Sequence, residues 1–136
     1  MISYGAKQYQ SVGTQSGIEN ASPHRLIQML IDGALERINI ARGQMQRNET
    51  ATKGETIGSA ISIIGGLQAS LDKSKGGDMA NNLDALYDYI SNQLMLANKT
   101  NDVKLLDEST KLMTQIKTGW DGIEAEAKAI ETLKAG

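Results

Sequence analysis

The fold class predicted for this chain of 136 residues is all-α, an antiparallel up-down-up-down four-helix bundle. Three observations carry the prediction. Apolar residues recur at three-to-four spacing in four successive stretches. Strand formers nowhere alternate with polar residues over a useful window. Pro23, the one proline, stands where a helix begins rather than inside a stripe.

Residues 1–20 carry Gly5, Gly13 and Gly17 among Ser, Gln and Thr, with isolated apolar groups such as Tyr4, Tyr9 and Val12, and read as a mobile N-terminal arm. Ser22-Pro23 then opens helix one, since the serine oxygen accepts an orphan amide and proline at the first position loses a donor that has no partner anyway. Its stripe is Leu26, Met29, Leu30, Gly33, Ala34, Arg37, Ile38, Ala41 and Met45. A second line, Ile27, Ile31 and Leu35, lies about 100° round the helix.

Polar residues 48–50 end helix one, and Thr52-Lys53-Gly54-Glu55 fits a capping box for helix two, with the stripe Ile57, Ala60, Ile61, Ile64, Leu67, Gln68 and Leu71. Lys75-Gly76-Gly77-Asp78 breaks the pattern, with Asp78 placed to cap helix three, which carries Met79, Leu83, Leu86, Tyr87, Ile90, Leu94 and Ala97. Thr100 or Asn101 caps helix four, whose stripe is Val103, Leu106, Ser109, Met113, Ile116, Trp120 and Ile123, with Trp120 read as an interior anchor. Corners this short force neighbours antiparallel, so residues 21–123 form the bundle. The tail, residues 124–136, is rich in Ala, Glu and Lys and either extends helix four or forms a short fifth helix.

Composition narrows the function. With 14 basic against 16 acidic residues and a formal charge of −2, the chain has no basic excess for a phosphate backbone, so no nucleic-acid partner is expected. The absence of cysteine removes disulfides, thiolate nucleophiles and Cys-ligated zinc, and suits a reducing compartment. No run reaches the ~18 apolar residues of a membrane span, and residues 1–20 lack the apolar block of a signal peptide. The expectation is a cytosolic protein without membrane insertion.

Catalytic chemistry finds few candidates. The single histidine, His24, falls in the first turn of helix one, where a solvated helix-start residue is expected rather than a phosphotransfer group. The two Glu-x-x-His pairs of a di-iron bundle are absent, and neither Gly65-Gly66 nor Lys75-Gly76-Gly77 has the spacing or the preceding strand of a phosphate loop. Neither catalysis, a metal nor a cofactor is therefore expected.

What remains is surplus apolar surface. Beyond one stripe per helix the chain carries Ile27, Ile31, Leu35, Ile63, Tyr89, Leu96, Leu105 and Leu112. Each singly can be packed beneath arm or tail; together they point to a groove for an apolar, helical partner. Tyr4, Tyr9 and Val12 are spaced so that the arm can lie over such a groove, an unstructured terminus being the alternative. A bundle that hides the same face against a second copy, a homo-oligomeric helical adaptor, is the rival reading.

The residues also resemble a family. Ala21-Ser22-Pro23, Leu26-Ile27, Met29-Leu30 and Asp32-Gly33-Ala34-Leu35 are similar to the opening helix of the flagellin-specific export chaperones, the FliS family. Ser70-Leu71-Asp72 with Lys75-Gly76-Gly77, the run Asn82 to Tyr89, Ala97-Asn98 with Asn101-Asp102, and Trp120 follow in the family's order, over about residues 4–123. One departure is Leu30-Ile31-Asp32-Gly33, where many members have Leu-Tyr-Asp-Gly, so a phenol is missing. The resemblance implies a cytoplasmic bundle that binds the C-terminal segment of flagellin, prevents its premature polymerisation and assists delivery to the flagellar type III export gate, with an arm that covers part of the groove and moves aside. On that basis the expected contacts are Ile31, Ile57, Ile61, Ile64, Leu83, Leu86, Tyr87, Ile90 and Leu94, with Tyr9 and Val12 as cover, on a monomer or weak dimer.

Overall fold

Ser22 and Pro23 start the first helix as their chemistry requires: the serine oxygen accepts the Arg25 amide at 3.1 Å and proline takes the first helical position. From there the computed structural model describes the backbone of residues 20–135 and the side chains of residues 20–123. The helices are α1 (Pro23–Gln46), α2 (Thr50–Ala69), α3 (Lys73–Thr100) and α4 (Val103–Ala135), with no strand among the described residues. The tail therefore continues α4 instead of folding as a separate helix. The predicted arm, with Tyr9 and Val12, lies outside the described residues.

The buried residues step by three and four along each helix: Ile31, Ala34, Ile38, Ala41 and Met45 on α1; Ile57, Ala60, Ile64 and Leu67 on α2; Tyr87, Ile90, Leu94 and Ala97 on α3; Leu106, Ser109 and Met113 on α4. That spacing is a seven-residue repeat, which keeps each apolar seam turned to its neighbours in a left-handed bundle. Packing runs in a ring: α1 lies against α2 and α4, and α3 against α2 and α4. Polar pairs fix the antiparallel register of α1 and α4. Gln28 Nε2 donates to Asp121 Oδ1 at 2.8 Å, Lys117 pairs with Asp32, and Arg42 Nε donates to Asp107 Oδ1 at 2.6 Å, each advance along α1 matched by an equal retreat along α4.

This ring corrects the predicted stripe of α1. Ile31 is fully buried, whereas Leu26, placed on the stripe by sequence, is 39% exposed. A helix wedged between two partners needs a broad apolar face centred between them, and the line through Ile31 is that centre. Ile63 is likewise interior, and Ile27, Leu35, Leu105 and Leu112 are half-buried against the core, so much of the apparent surplus is consumed by the bundle. Tyr89 and Leu96 remain exposed. Tyr89 still serves the α3–α4 seam, its phenol donating to Glu108 Oε1 at 2.7 Å, and that bond raises its pKa.

The corners differ from the caps expected. After α1, left-handed Asn48 (φ 57°) lets the Glu49 amide return to the Gln44 carbonyl at 2.9 Å, a closure that satisfies the last carbonyls. Helix α2 has already begun at Thr50, so the predicted capping box does not form and the Thr52 hydroxyl donates back to the Glu49 carbonyl at 3.2 Å. Asp72, not Asp78, caps α3, accepting the Ser74 and Lys75 amides, while the predicted break survives as a kink at Gly77. Asn101 adopts the left-handed form (φ 55°) to close α3, which leaves Asp102 to accept the Lys104 amide at 2.9 Å and start α4.

Lys53 is the residue the pattern concealed. It is 3% exposed, and its Nζ donates to the Asn98 carbonyl at 3.1 Å and to Asn101 Oδ1 at 3.0 Å. A cation there meets the negative end of the α3 dipole and satisfies a carbonyl the helix leaves open. Lys53→Ala is expected to cost about 1.5–3 kcal/mol in urea unfolding, because it removes two charge-assisted hydrogen bonds from a part-buried corner together with the packing of the lysine stem.

Candidate functional site

The core line of α3 runs back from Tyr87 through Leu83, Ala80 and Gly76, still at three-to-four spacing, but its side chains shrink towards the helix start. Opposite them α4 presents Ile116, Gly119, Trp120 and Ile123, and a Cβ added at Gly119 would meet nothing within 4 Å. Small residues where a bundle layer needs large ones leave the interior open. The result is a groove of about 730 Å³ at the end of the bundle where α1 begins and α2 turns into α3. Ile27 closes one side, Ser70, Leu71 and Asp72 of the corner another, and Met79 stands 65% exposed on its lip.

Trp120 is held in the wall rather than sealed inside. Its Nε1–H donates to the His24 carbonyl at 3.0 Å, and its ring stacks on the His24 imidazole with centroids 4.5 Å apart and planes 7° from parallel. His24 is therefore a packing partner that pins the start of α1 onto α4, contrary to the solvated residue expected from its place in the chain.

The lining is apolar, with charges kept to the rim at Asp72 and Lys75. Asp72 is committed to its capping role: the Ser74 hydroxyl and the Lys75 amide hold its carboxyl below the usual range. Burial pushes the Tyr87 phenol up to about 12, so it stays neutral in the groove wall. An acid whose folded pKa is raised loses stabilisation as pH climbs from its ordinary value near 10 towards 12. Tyr87→Phe is accordingly expected to lose less stability than the parent between pH 9.5 and 11.5, read as the shift in urea midpoint. Among the described residues no group of three His, Asp or Glu side chains is placed to hold a metal ion, and no helix is long and apolar enough to cross a membrane.

Of the residues predicted from sequence to meet a partner, Leu83 and Tyr87 line the groove. Ile31, Ile57, Ile64, Ile90 and Leu94 are interior, where they hold the bundle instead of offering surface. Ile61 and Leu86 are half-buried against the core outside the groove. Sequence reasoning missed Leu71, Met79, Ala80, Ile116, Gly119 and Ile123 as lining residues. The signal that marks them is the run of Gly76, Ala80 and Gly119 on otherwise bulky apolar lines.

Comparison with known proteins names the family. The model of the family described as flagellar protein FliS matches residues 5–127. The chain is 51% identical over 117 residues to the flagellar secretion chaperone FliSB of Pseudomonas aeruginosa, covering 86% of this chain and 93% of that protein. It is 40% identical over 129 residues to the flagellar secretion chaperone FliS of Salmonella typhimurium, covering 94% and 96%, and 39% identical over 128 residues to that of Vibrio cholerae, covering 94% of each. The chain belongs to the FliS family of flagellar secretion chaperones.

Proposed function

We propose that the protein binds the C-terminal segment of flagellin in the groove between the start of α3 and the middle of α4, prevents its premature polymerisation in the cytoplasm, and hands it to the flagellar type III export gate. The observation that carries this reading is the open apolar groove, continuous with the core and lined by Leu83, Ile116, Trp120 and Ile123. A disordered segment that folds onto such a surface buries on the order of 1,000–3,000 Å² and loses ~2–5 kcal/mol to ordering, so it is held firmly without covalent chemistry. Apolar side chains that would associate between flagellin subunits are masked while bound, and a competing destination releases them.

The function is one of binding rather than catalysis, with no cofactor. In the same reading residues 1–20 act as an arm whose Tyr9 and Val12 cover the groove when it is empty. Titration with a synthetic flagellin C-terminal peptide, followed by calorimetry and far-UV dichroism, tests the proposal. A 1:1 endpoint with a gain of helix supports it. No association at tens of micromolar overturns it, and concentration-dependent self-association in light scattering would instead favour a homo-oligomeric adaptor.

A further inference from the structure

One end of the groove is closed by a turn that departs from the helix it begins. Gly77 lies at φ 55°, ψ −130° inside α3, a combination denied to residues that carry a Cβ. A Cβ at Gly76 would come within 2.7 Å of the Ala80 Cβ. The two glycines, each for its own reason, let residues 73–76 fold back at an angle to the body of α3.

The turn is self-contained. Asp72 Oδ1 accepts the Ser74 hydroxyl at 2.6 Å and the amides of Ser74 and Lys75, and the amides of Lys75 and Gly76 return to the Asp72 carbonyl. Every residue from 72 to 79 is exposed, so the turn contributes little burial. Lys73 Nζ reaches past the kink to Asp84 Oδ2 at 2.9 Å, and Asp84 is steadied from α2 by Gln68 Nε2 at 3.2 Å. Ion pairs between partly exposed side chains are worth little, and those internal bonds survive a swing of residues 72–76 that turns on two joints, Gly77 and the extended backbone of Asp72 where the chain leaves α2, so opening breaks only the Lys73–Asp84 pair.

We propose that the turn of residues 73–76 is a hinged end wall, latched by the Lys73–Asp84 pair and pivoting at Gly77, that swings outward to lengthen the groove for a helical guest. Asp72, Lys75 and Gly76 line the groove on the near side of the pivot and Met79 and Leu83 on the far side, so rotation moves one set away from the other. This rests on the groove being the seat of the flagellin segment, and the test separates the two claims.

The chain has no cysteine and one tryptophan, Trp120, inside the groove. Spin labels at Lys75→Cys, whose side chain takes no part in the bonds of the turn, and at Thr118→Cys, both exposed, report wall position by pulsed electron resonance, while Trp120 fluorescence reports occupancy. Lys73→Gln in the free protein is expected to add a population about 5 Å longer, one helical turn. The same variant is expected to speed association of the flagellin C-terminal peptide at least threefold and to flatten its salt dependence. Gly77→Ala, which disfavours the folded-back geometry, is expected to enrich the longer population too. If the peptide changes Trp120 fluorescence while the distances stay as they were in the parent, Lys73→Gln and Gly77→Ala alike, the hinge is overturned and the groove reading stands. If the peptide does not bind, the groove reading fails and the free-protein distances alone decide the hinge: a longer population in Lys73→Gln upholds it, and an unchanged distribution overturns it.

Discussion

Leu94→Ala is expected to destabilise the bundle by about 3–4 kcal/mol and to lower its thermal midpoint by roughly 10–15 °C. Leu94 is 0% exposed and sits on the seven-residue seam between Tyr87 and Ala97, so truncation opens a cavity that rigid neighbours on other helices fill only in part. Leu96, two residues on, is 45% exposed, and Leu96→Ala is expected to stay within about 0.5 kcal/mol of the parent. Thermal or urea unfolding of the two variants side by side checks the assignment. It also separates interior from contact, because Leu94→Ala is expected to bind the flagellin peptide normally wherever it remains folded.

Changes in the groove are expected to do the reverse. Met79 and Ile123 line it while 65% and 43% exposed, so carboxylates at both positions leave the interior untouched. A guest that buries these side chains loses about 1.5–3 kcal/mol for each apolar contact and must also desolvate charge. The double variant Met79→Asp/Ile123→Asp is expected to weaken peptide binding at least 100-fold in calorimetry, with an unfolding midpoint close to the parent's. Filling the groove gives the complementary result. Gly119→Leu places a side chain in open space on a helix, which raises stability by up to about 1 kcal/mol through helix propensity while reducing affinity at least tenfold. Stability and binding moving in opposite directions is the signature of a site maintained at the cost of packing.

The helices and their order were legible in sequence because the three-to-four spacing persists through each of them and Ser22-Pro23, Gly77 and Asn101 mark real starts and breaks. The caps were less so. Thr52 has the right side chain for a capping box, yet its hydroxyl donates to Glu49 because the chain is already helical there. Contacts such as Trp120 on His24 join residues 96 apart, and local pattern carries no information about them.

The groove was legible only in outline. Excess apolar residues pointed to a binding face, but Ile31, Ile57, Ile64, Ile90 and Leu94 were assigned to it when the ring of helices needed them inside. A stripe states how much apolar surface a helix has, not how much its neighbours cover. The cavity arises where Gly119 leaves open space and Ala80 presents only a methyl, and a stripe read from its large residues passes over such small ones. Lys53 escaped for the opposite reason: a charged residue reads as surface until its two acceptors are seen beside it.

Backbone amide mapping by nuclear magnetic resonance, with isotope-labelled protein and unlabelled flagellin C-terminal peptide, tests the central assignment most directly. Large shifts at Leu71, Met79, Leu83, Ile116, Gly119 and Ile123, with Ile40, Met95 and Leu96 unmoved, are the predicted result. Saturable shifts centred on Met95 and Leu96, with the groove residues silent, would place the guest on another face and contradict it.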